Sequence, residues 1–185
     1  IELKPDFAEA HSNLGTILRS LSKLQEAESF TRQAIELKPD FAEAHSNLGS
    51  IFQDLGKLQD AELSQRKAIE INPDFAEAHS SLGALLTRIG NLDDGAISIN
   101  RSNQIKPNII ENHLNLGMNY QLQDQIKKSN NSYNNVINLA KRDSGETLQA
   151  EVHLAVNNLI TGDFEEVEEH IFRFTQLINQ GVLEK

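Results

Sequence analysis

Pro5-Asp6-Phe7-Ala8-Glu9-Ala10-His11 is the stretch that decides the fold, because it returns unchanged at residues 39–45 and again at residues 73–79. Successive copies start 34 residues apart, and a worn fourth copy opens at Pro107. A Leu-Gly pair follows in each copy, at residues 14–15, 48–49, 82–83 and 116–117. A repeat of this length indicates a helical array in which stacked units bury each other's apolar faces.

Within one copy the apolar residues recur at three- and four-residue spacing, which predicts two amphipathic helices joined by a short turn. Gly56 and Gly90 occupy that turn in the second and third copies, where a left-handed backbone ends a helix. Gly162 takes the same place in a divergent last copy. The predicted helices are 8–21, 25–37, 42–55, 59–71, 76–89, 93–105, 110–122, 126–140, 147–160 and 164–179.

These helices predict an all-α solenoid of about five helix pairs in a single array, 1–185. The predicted parts are a remnant of a preceding repeat (1–7), three repeats (8–41, 42–75, 76–109), a degenerate repeat (110–146) and a divergent repeat or cap (147–185). The stretch 141–146 contains a four-residue insertion relative to the period. Because residues 1–5 copy residues 35–39, we interpret the chain as starting in the middle of a repeat.

Composition excludes several classes of protein. The chain has 185 residues and no cysteine, so neither a disulfide framework nor a thiolate metal site is possible. Its formal net charge of -10 disfavours nucleic acid and anionic membranes, which need clustered Lys and Arg. No apolar run is long enough to span a bilayer. We expect a cytoplasmic protein that binds neither nucleic acid nor membrane.

The repeated residues resemble the tetratricopeptide repeat family. With Ala8 as position 1, the first copy supplies the family's pattern with two departures, a histidine for an aromatic at position 4 and Thr31 for a bulky residue at position 24. The residues at the pattern's positions are His11, Leu14, Gly15, Leu18, Ala27, Thr31, Ala34 and Pro39, of which His11 and Thr31 are the departures. The resemblance implies antiparallel helix pairs in a right-handed superhelix, with first helices lining a concave groove. The wording of the repeats is most similar to the repeats of the O-linked N-acetylglucosamine transferase.

The candidate peptide-binding residues lie on the predicted groove face of the first helices. An asparagine row at position 6 offers a donor and an acceptor to the backbone of an extended peptide, and the similar transferase repeats use an asparagine ladder in this way. The alternative is that these asparagines brace neighbouring helices. The full candidate set is Asn13, Asn47, Ser81 and Asn115, with Ser12, Ser46, Thr16 and Ser50 beside them and Glu9, Glu43 and Glu77 along one edge.

Two further rows have simpler explanations. Glu9, Glu43, Glu77 and Glu111 each follow an Asp or Asn by three residues, which predicts capping boxes at helix starts, although they could also attract a basic partner. Histidines at position 4 (His11, His45, His79 and His113) are too far apart to share a metal ion, so we expect half-buried packing and no metal site. His153 and His170 have no evident partner in the sequence.

The sequence favours a protein-interaction scaffold whose groove holds an extended peptide of unknown identity. It contains no catalytic motif and implies no cofactor, so we expect no enzymatic activity. A chaperone-type carboxylate clamp is disfavoured, because only Asn47 fits among the five positions that such a clamp requires. The alternatives are a fragment of a glycosyl- or sulfo-transferase type enzyme and an end-to-end structural array. An uncovered first helix, with Leu14 and Leu18 exposed, predicts homodimers or head-to-tail stacking through the terminal repeats.

Overall fold

The computed structural model describes the backbone of residues 5–140 and 144–179 and the side chains of residues 7–140 and 144–176. These residues form ten helices and contain no strand, which confirms the predicted all-α solenoid of helix pairs. The predicted remnant (1–7) and the insertion predicted within 141–146 lie partly outside the described residues. The helices are α1 (Pro5–Ser20), α2 (Leu24–Leu37), α3 (Ala42–Asp54), α4 (Leu58–Ile71), α5 (Ala76–Arg88), α6 (Leu92–Ile105), α7 (Ile110–Leu122), α8 (Ile126–Leu139), α9 (Gly145–Thr161) and α10 (Phe164–Asn179).

The chain divides into two compact units, Ile1–Ile105 and Lys106–Lys185. The first unit contains three helix pairs, α1–α2, α3–α4 and α5–α6, and the second contains α7–α8 and α9–α10. In each unit the two helices of a pair pack together, and the second helix of one pair packs on the first helix of the next. The expectation that the whole chain forms a single array stays a prediction.

Short turns with a left-handed residue join the helices within all five described pairs. Gly56 and Gly90 have φ angles of 74° and 88°, as their predicted turn position requires. Gly162 takes the same conformation in the last pair, with φ of 78°. In the first pair Ser22 adopts φ of 59° and in the fourth Asp124 adopts φ of 57°, so the turn geometry persists where the glycine has been lost.

One close contact recurs in all four pairs from α1 to α8. The glycine at position 8 of the first helix lies under the side chain at position 24 of the second helix. In chain order the contacts are Gly15 with Thr31, Gly49 with Gln65, Gly83 with Ile99 and Gly117 with Tyr133. All four covering side chains are completely buried. Because a Cβ at any of these glycines would approach the covering side chain to 2.7 Å or less, glycine sets the spacing of the two helices.

The predicted capping boxes are wrong. The N-cap residues of α3, α5 and α7 are Phe41, Phe75 and Ile109, and none makes a side-chain capping hydrogen bond. These helices begin at the predicted residues 42, 76 and 110, which is one residue later than a capping box at the Asp or Asn would require. Each Asp or Asn therefore lies before the N-cap, and each glutamate occupies the second helical position. Their charge still complements the helix N-terminus. For α1 the same proposal involves Asp6, whose side chain lies outside the described residues.

The exposed face of α1 differs from the prediction in one residue. Leu18 is buried, because it packs on Ala27 and on Ile51 of the next pair. Leu14 is 37% exposed, whereas its counterpart Leu48 is 6% exposed. The other exposed residues of this face are Phe7, Ile17 and Leu21. The counterpart of Ile17 is Ile51, so this face corresponds to the surface that packs on a preceding pair inside the array.

Two histidines in the second unit have partners that the sequence did not reveal. His170 and Glu151 are both buried and pair directly between α10 and α9, with Arg173 approaching the same carboxylate at 3.7 Å. His153 stacks on the buried ring of Tyr133, with centroids 4.8 Å apart and planes 7° apart. Desolvation by burial lowers the pKa of His153 below its usual value. Both contacts fix α9 within the unit.

The glycine contact predicts that Gly83→Ala destabilises the chain. The new Cβ would lie 2.4 Å from Ile99 Cγ1 and 2.8 Å from the carbonyl oxygen of Gly95, and the backbone oxygen cannot move away. We expect the free energy of unfolding to fall by about 1–3 kcal/mol, despite the higher helix propensity of alanine. The matched control is Gly145→Ala, where no atom lies within 4 Å. Urea denaturation showing equal stability for the two variants would contradict this packing.

The His153 stack predicts a pH-dependent contribution to stability. Since the folded-state pKa of His153 is lowered, the unfolded chain binds the proton more readily, so the free energy of unfolding decreases as the pH falls through about 6.5. His153→Phe keeps a ring against Tyr133 and removes the titrating group. We expect the variant to lose less stability than the wild type between pH 7.5 and pH 5.5, measured by denaturant unfolding. An unchanged pH dependence in the folded variant would exclude this role.

Candidate functional site

The first helices of the first unit lie side by side and form a continuous wall. Helix α3 contacts α1 on one side and α5 on the other. Within the described residues no such contact joins α2 to α4 or α4 to α6. Neighbouring first helices of this unit are therefore closer together than neighbouring second helices. This curvature makes α1, α3 and α5 the inner wall of the unit and α2, α4 and α6 its outer surface.

Polar bonds between neighbouring first helices hold this wall together. Asn47 Nδ2 on α3 donates to Ser12 Oγ on α1 at 3.0 Å. Gln53 Nε2 reaches the carbonyl oxygen of Ser81 on α5 at 3.5 Å. Arg19 Nε pairs with Asp54 Oδ2 at 2.6 Å between α1 and α3. Sequence analysis did not identify Gln53 or the Arg19–Asp54 pair as contacts between helices. Polar residues about one repeat apart look like ordinary surface residues in a sequence.

The asparagine row follows this wall in the first unit. Asn13 is exposed, Asn47 is half-buried, and Ser81 occupies the same position on α5 in a half-buried site. Because Asn47 donates one of its hydrogens to Ser12, it braces the neighbouring helix, and its amide oxygen does not take part in that bond. Asn115 takes the equivalent half-buried position on α7 in the second unit. Whether any of these residues contacts a ligand stays a prediction.

Two of the candidate groove residues are not available to a ligand. Ser12 is 2% exposed. Its hydroxyl oxygen accepts a hydrogen bond from Asn47, and its carbonyl oxygen accepts one from Thr16. Ser46 is 7% exposed, donates to Gln65 Oε1 at 2.9 Å, and accepts from Gln65 Nε2 through its carbonyl oxygen at 3.0 Å. These serines therefore fasten the helices together and leave the candidate contact set.

The remaining candidates are accessible. Thr16 is exposed and Ser50 is half-buried on the same wall. Glu9, Glu43 and Glu77 are exposed at the starts of α1, α3 and α5, so they place a row of negative charge along one edge of it. The role of these residues in binding a peptide stays a prediction.

The histidine row has a local structural role. His45, His79 and His113 place Nε2 at 2.9, 2.9 and 3.1 Å from the carbonyl oxygen of the proline that precedes each first helix. A carbonyl oxygen only accepts, so each histidine donates and closes the turn between two pairs. His11 stacks on Phe30 instead, at 5.7 Å between centroids. In the part of the chain that the structure describes, no three His, Asp or Glu side chains converge as metal ligands would.

A charged cluster lies on the outer surface, opposite the wall. Glu28 on α2 pairs with Arg32 and with Lys57, each at 2.9 Å. Partial burial alone would raise the pKa of the Glu28 carboxyl, but the hydrogen bonds from Lys57 and Arg32 outweigh it and hold the pKa below its usual value. The two cations also lie over the ring of Phe52, at 5.4 Å for Arg32 and 5.3 Å for Lys57.

None of the helices described is long and apolar enough to cross a membrane.

Family models of the tetratricopeptide repeat match residues 8–41 and residues 42–75. These residues are therefore tetratricopeptide repeats, and the finer resemblance to transferase repeats stays a prediction. No curated protein sequence matches the chain at a significant level.

Several solved structures share the fold. MamA 41-end from Desulfovibrio magneticus RS-1 superposes with a TM-score of 0.83 at 18% identity, covering 95% of this chain and 97% of that one. Pseudomonas aeruginosa PilF gives 0.83 at 18% identity, with 92% and 76% covered. YrrB, described as a TPR protein with an unusual peptide-binding site, gives 0.74 at 17% identity, with 90% and 84% covered. At these identities the likeness establishes the fold alone.

Proposed function

We propose that this tetratricopeptide-repeat chain is a protein-interaction scaffold that holds an extended peptide segment against the inner wall of its first unit. The observation that carries the proposal is the accessible polar row of Asn13, Asn47 and Ser81 on adjacent first helices. An asparagine amide pairs with a peptide group through one donor and one acceptor, whatever the side chains of the peptide are. Asn115 offers the same chemistry separately in the second unit.

The wall also indicates what kind of binding to expect. Its accessible side chains at position 6 are polar, and the exposed large apolar residues on the first helices of this unit are Phe7, Leu14 and Ile17, all on α1. Tight interfaces are dominated by buried aromatic and arginine anchors, which this row does not provide. Binding is therefore weakly sequence-selective, with a dissociation constant in the micromolar range or above. The acidic edge of Glu9, Glu43 and Glu77 favours peptides that carry Lys or Arg beside the bound segment.

The other interpretations of the sequence are compatible with peptide binding at this wall. YrrB is described as having a peptide-binding site, which supports peptide binding as an activity of this fold and does not extend to the residues used here. A fragment of a transferase-type enzyme would use the same wall to select substrate. That alternative therefore makes the same prediction for the wall and a different one for the rest of the protein. We expect no catalysis by the residues described here: Glu151 and His170 pair with each other, and His45 and His79 close turns through backbone carbonyl oxygens.

Loss of the asparagine row is expected to weaken a peptide ligand. In Asn13→Ala/Asn47→Ala, two amide-to-backbone bonds are lost at about 0.5–1.5 kcal/mol each, which corresponds to roughly 5- to 150-fold weaker binding. The ligand is first selected by peptide display on the wild-type chain. Affinity is then measured by calorimetry or fluorescence anisotropy, with unfolding curves recorded for every variant. A control on a second helix is Asn134→Ala/Asn135→Ala/Asn138→Ala on α8, where the side chains are also exposed.

The brace between Asn47 and Ser12 is separated from ligand contact by Ser12→Ala. This change removes the 3.0 Å hydrogen bond to Asn47 and leaves the Asn47 amide in place for a ligand. We expect a small loss of stability and an affinity within about twofold of the wild type. If Ser12→Ala weakens binding as much as Asn47→Ala does, the row acts only as a brace and the proposed contact is wrong.

A second expectation concerns the exposed face of α1, where homodimers or head-to-tail stacks remain a proposal. Ile17 is 55% exposed and Leu21 is 63% exposed, although the residue corresponding to Ile17 in the next pair is fully buried. Ile17→Asp/Leu21→Asp places two charges in this face. If molecules associate there, we expect wild-type mass to rise with concentration in light scattering and the variant to stay monomeric. Equal mass for both proteins at millimolar concentration would refute association through α1.

A further inference from the structure

The outer surface of the first unit contains a pocket of about 540 Å³ between α4 and α6, with α5 beneath it. Ile69, Leu82 and Ile97 provide its apolar surface, and Arg66 and Arg101 stand at its edges. Its volume falls within the roughly 300–1,000 Å³ typical of ligand sites. The pocket lies on the opposite side of the unit from the asparagine row, so peptide binding to the inner wall does not explain it.

Arg66 is less engaged than its counterpart one repeat earlier. Arg32 shares Glu28 with Lys57 and lies over the ring of Phe52. Arg66 pairs with Glu62 through Nε at 2.8 Å, and the residues corresponding to Phe52 and Lys57 are Leu86 and Asn91. Its terminal guanidinium nitrogens make no hydrogen bond among the described residues, which leaves them available to a ligand carboxylate.

The third pair also changes the charge of the pocket. On α4, Lys67 and Glu70 form an ion pair at 2.7 Å, whereas the corresponding residues on α6 are Arg101 and Gln104. One carboxylate is thereby replaced by a neutral amide. Arg101 bonds to Asp74 at 2.8 Å and to Gln104 at 3.3 Å, using one hydrogen on each of two nitrogens. Arg66 and Arg101 are each paired with one carboxylate, Glu62 and Asp74, and Glu70 is paired with Lys67. The pocket therefore offers a ligand the unused guanidinium hydrogens rather than a net positive charge.

We propose that this pocket binds a peptide segment in which an aliphatic side chain is flanked by a carboxylate. The aliphatic group would pack on Ile97, which is 66% exposed, and on Leu82 and Ile69. The carboxylate would accept hydrogen bonds from Arg66 and Arg101, and arginine favours this planar partner.

The test uses the full chain, isotope-labelled for amide chemical-shift mapping, and three acetylated pentapeptides as probes. The first alternates Glu and Leu, the second replaces Leu by Ser, and the third replaces Glu by Lys. We expect the Glu-Leu peptide to shift the amide signals of His79, Ile97 and Ser98, with a dissociation constant from these signals at least fivefold lower than for either control peptide. Equal titration of these three signals by the Glu-Leu and Lys-Leu peptides, or Glu-Leu shifts confined to α1 and α3, would overturn the proposal.

Matched variants locate the binding. Arg66→Gln and Ile97→Ser are each expected to weaken the Glu-Leu peptide at least fivefold. Their controls are the same changes one repeat earlier, Arg32→Gln and Leu63→Ser, and Leu63 is likewise 66% exposed. The controls, and Asn13→Ala/Asn47→Ala on the inner wall, should leave binding unchanged, which separates this site from the groove. Unchanged affinity in Arg66→Gln and Ile97→Ser, or an equal loss in the two controls, would exclude the pocket.

Discussion

Each helix pair from α1 to α8 depends on the close approach of its second helix to one glycine of its first. At Gly15, Gly49, Gly83 and Gly117 a fully buried side chain at position 24 occupies the space that a Cβ would need. The covering residue varies from threonine to tyrosine while the glycine does not. This contact sets the spacing within a pair, and stacked pairs then bring the first helices together, so the inner wall is a consequence of it.

Most of the fold could be predicted because the repeat fixes both the helices and their packing partners. All ten helices lie within two residues of the predicted bounds, except at the start of α1, because proline and glycine mark the ends. The capping boxes failed since Asp-x-x-Glu also fits a helix that begins one residue later, and only the backbone decides between the two. Leu18 was assigned to the wrong face because one helix alone does not show which neighbour covers it.

The candidate site was predicted less well than the fold, because side-chain contacts depend on pairs of positions rather than on one row. Ser46 was predicted to be a groove residue. In the structure it is hydrogen-bonded to Gln65, a polar residue at the buried position 24 of the partner helix. That departure from the repeat pattern was visible in the sequence and is the signal that could have revealed the pair. The partnership of Glu151 and His170 lies across a divergent pair whose register the repeat does not fix.

The central claim is that the inner wall of the first unit holds an extended peptide through its position-6 row. Paramagnetic relaxation with a spin label on a display-selected peptide tests this most directly, since broadening reports distance to individual amides. We expect the side-chain amide signals of Asn13 and Asn47 to broaden strongly, and those of Gln33 and Gln59 on the second helices to remain sharp. Strong broadening at Gln33 and Gln59, with Asn13 and Asn47 unaffected, would contradict the account.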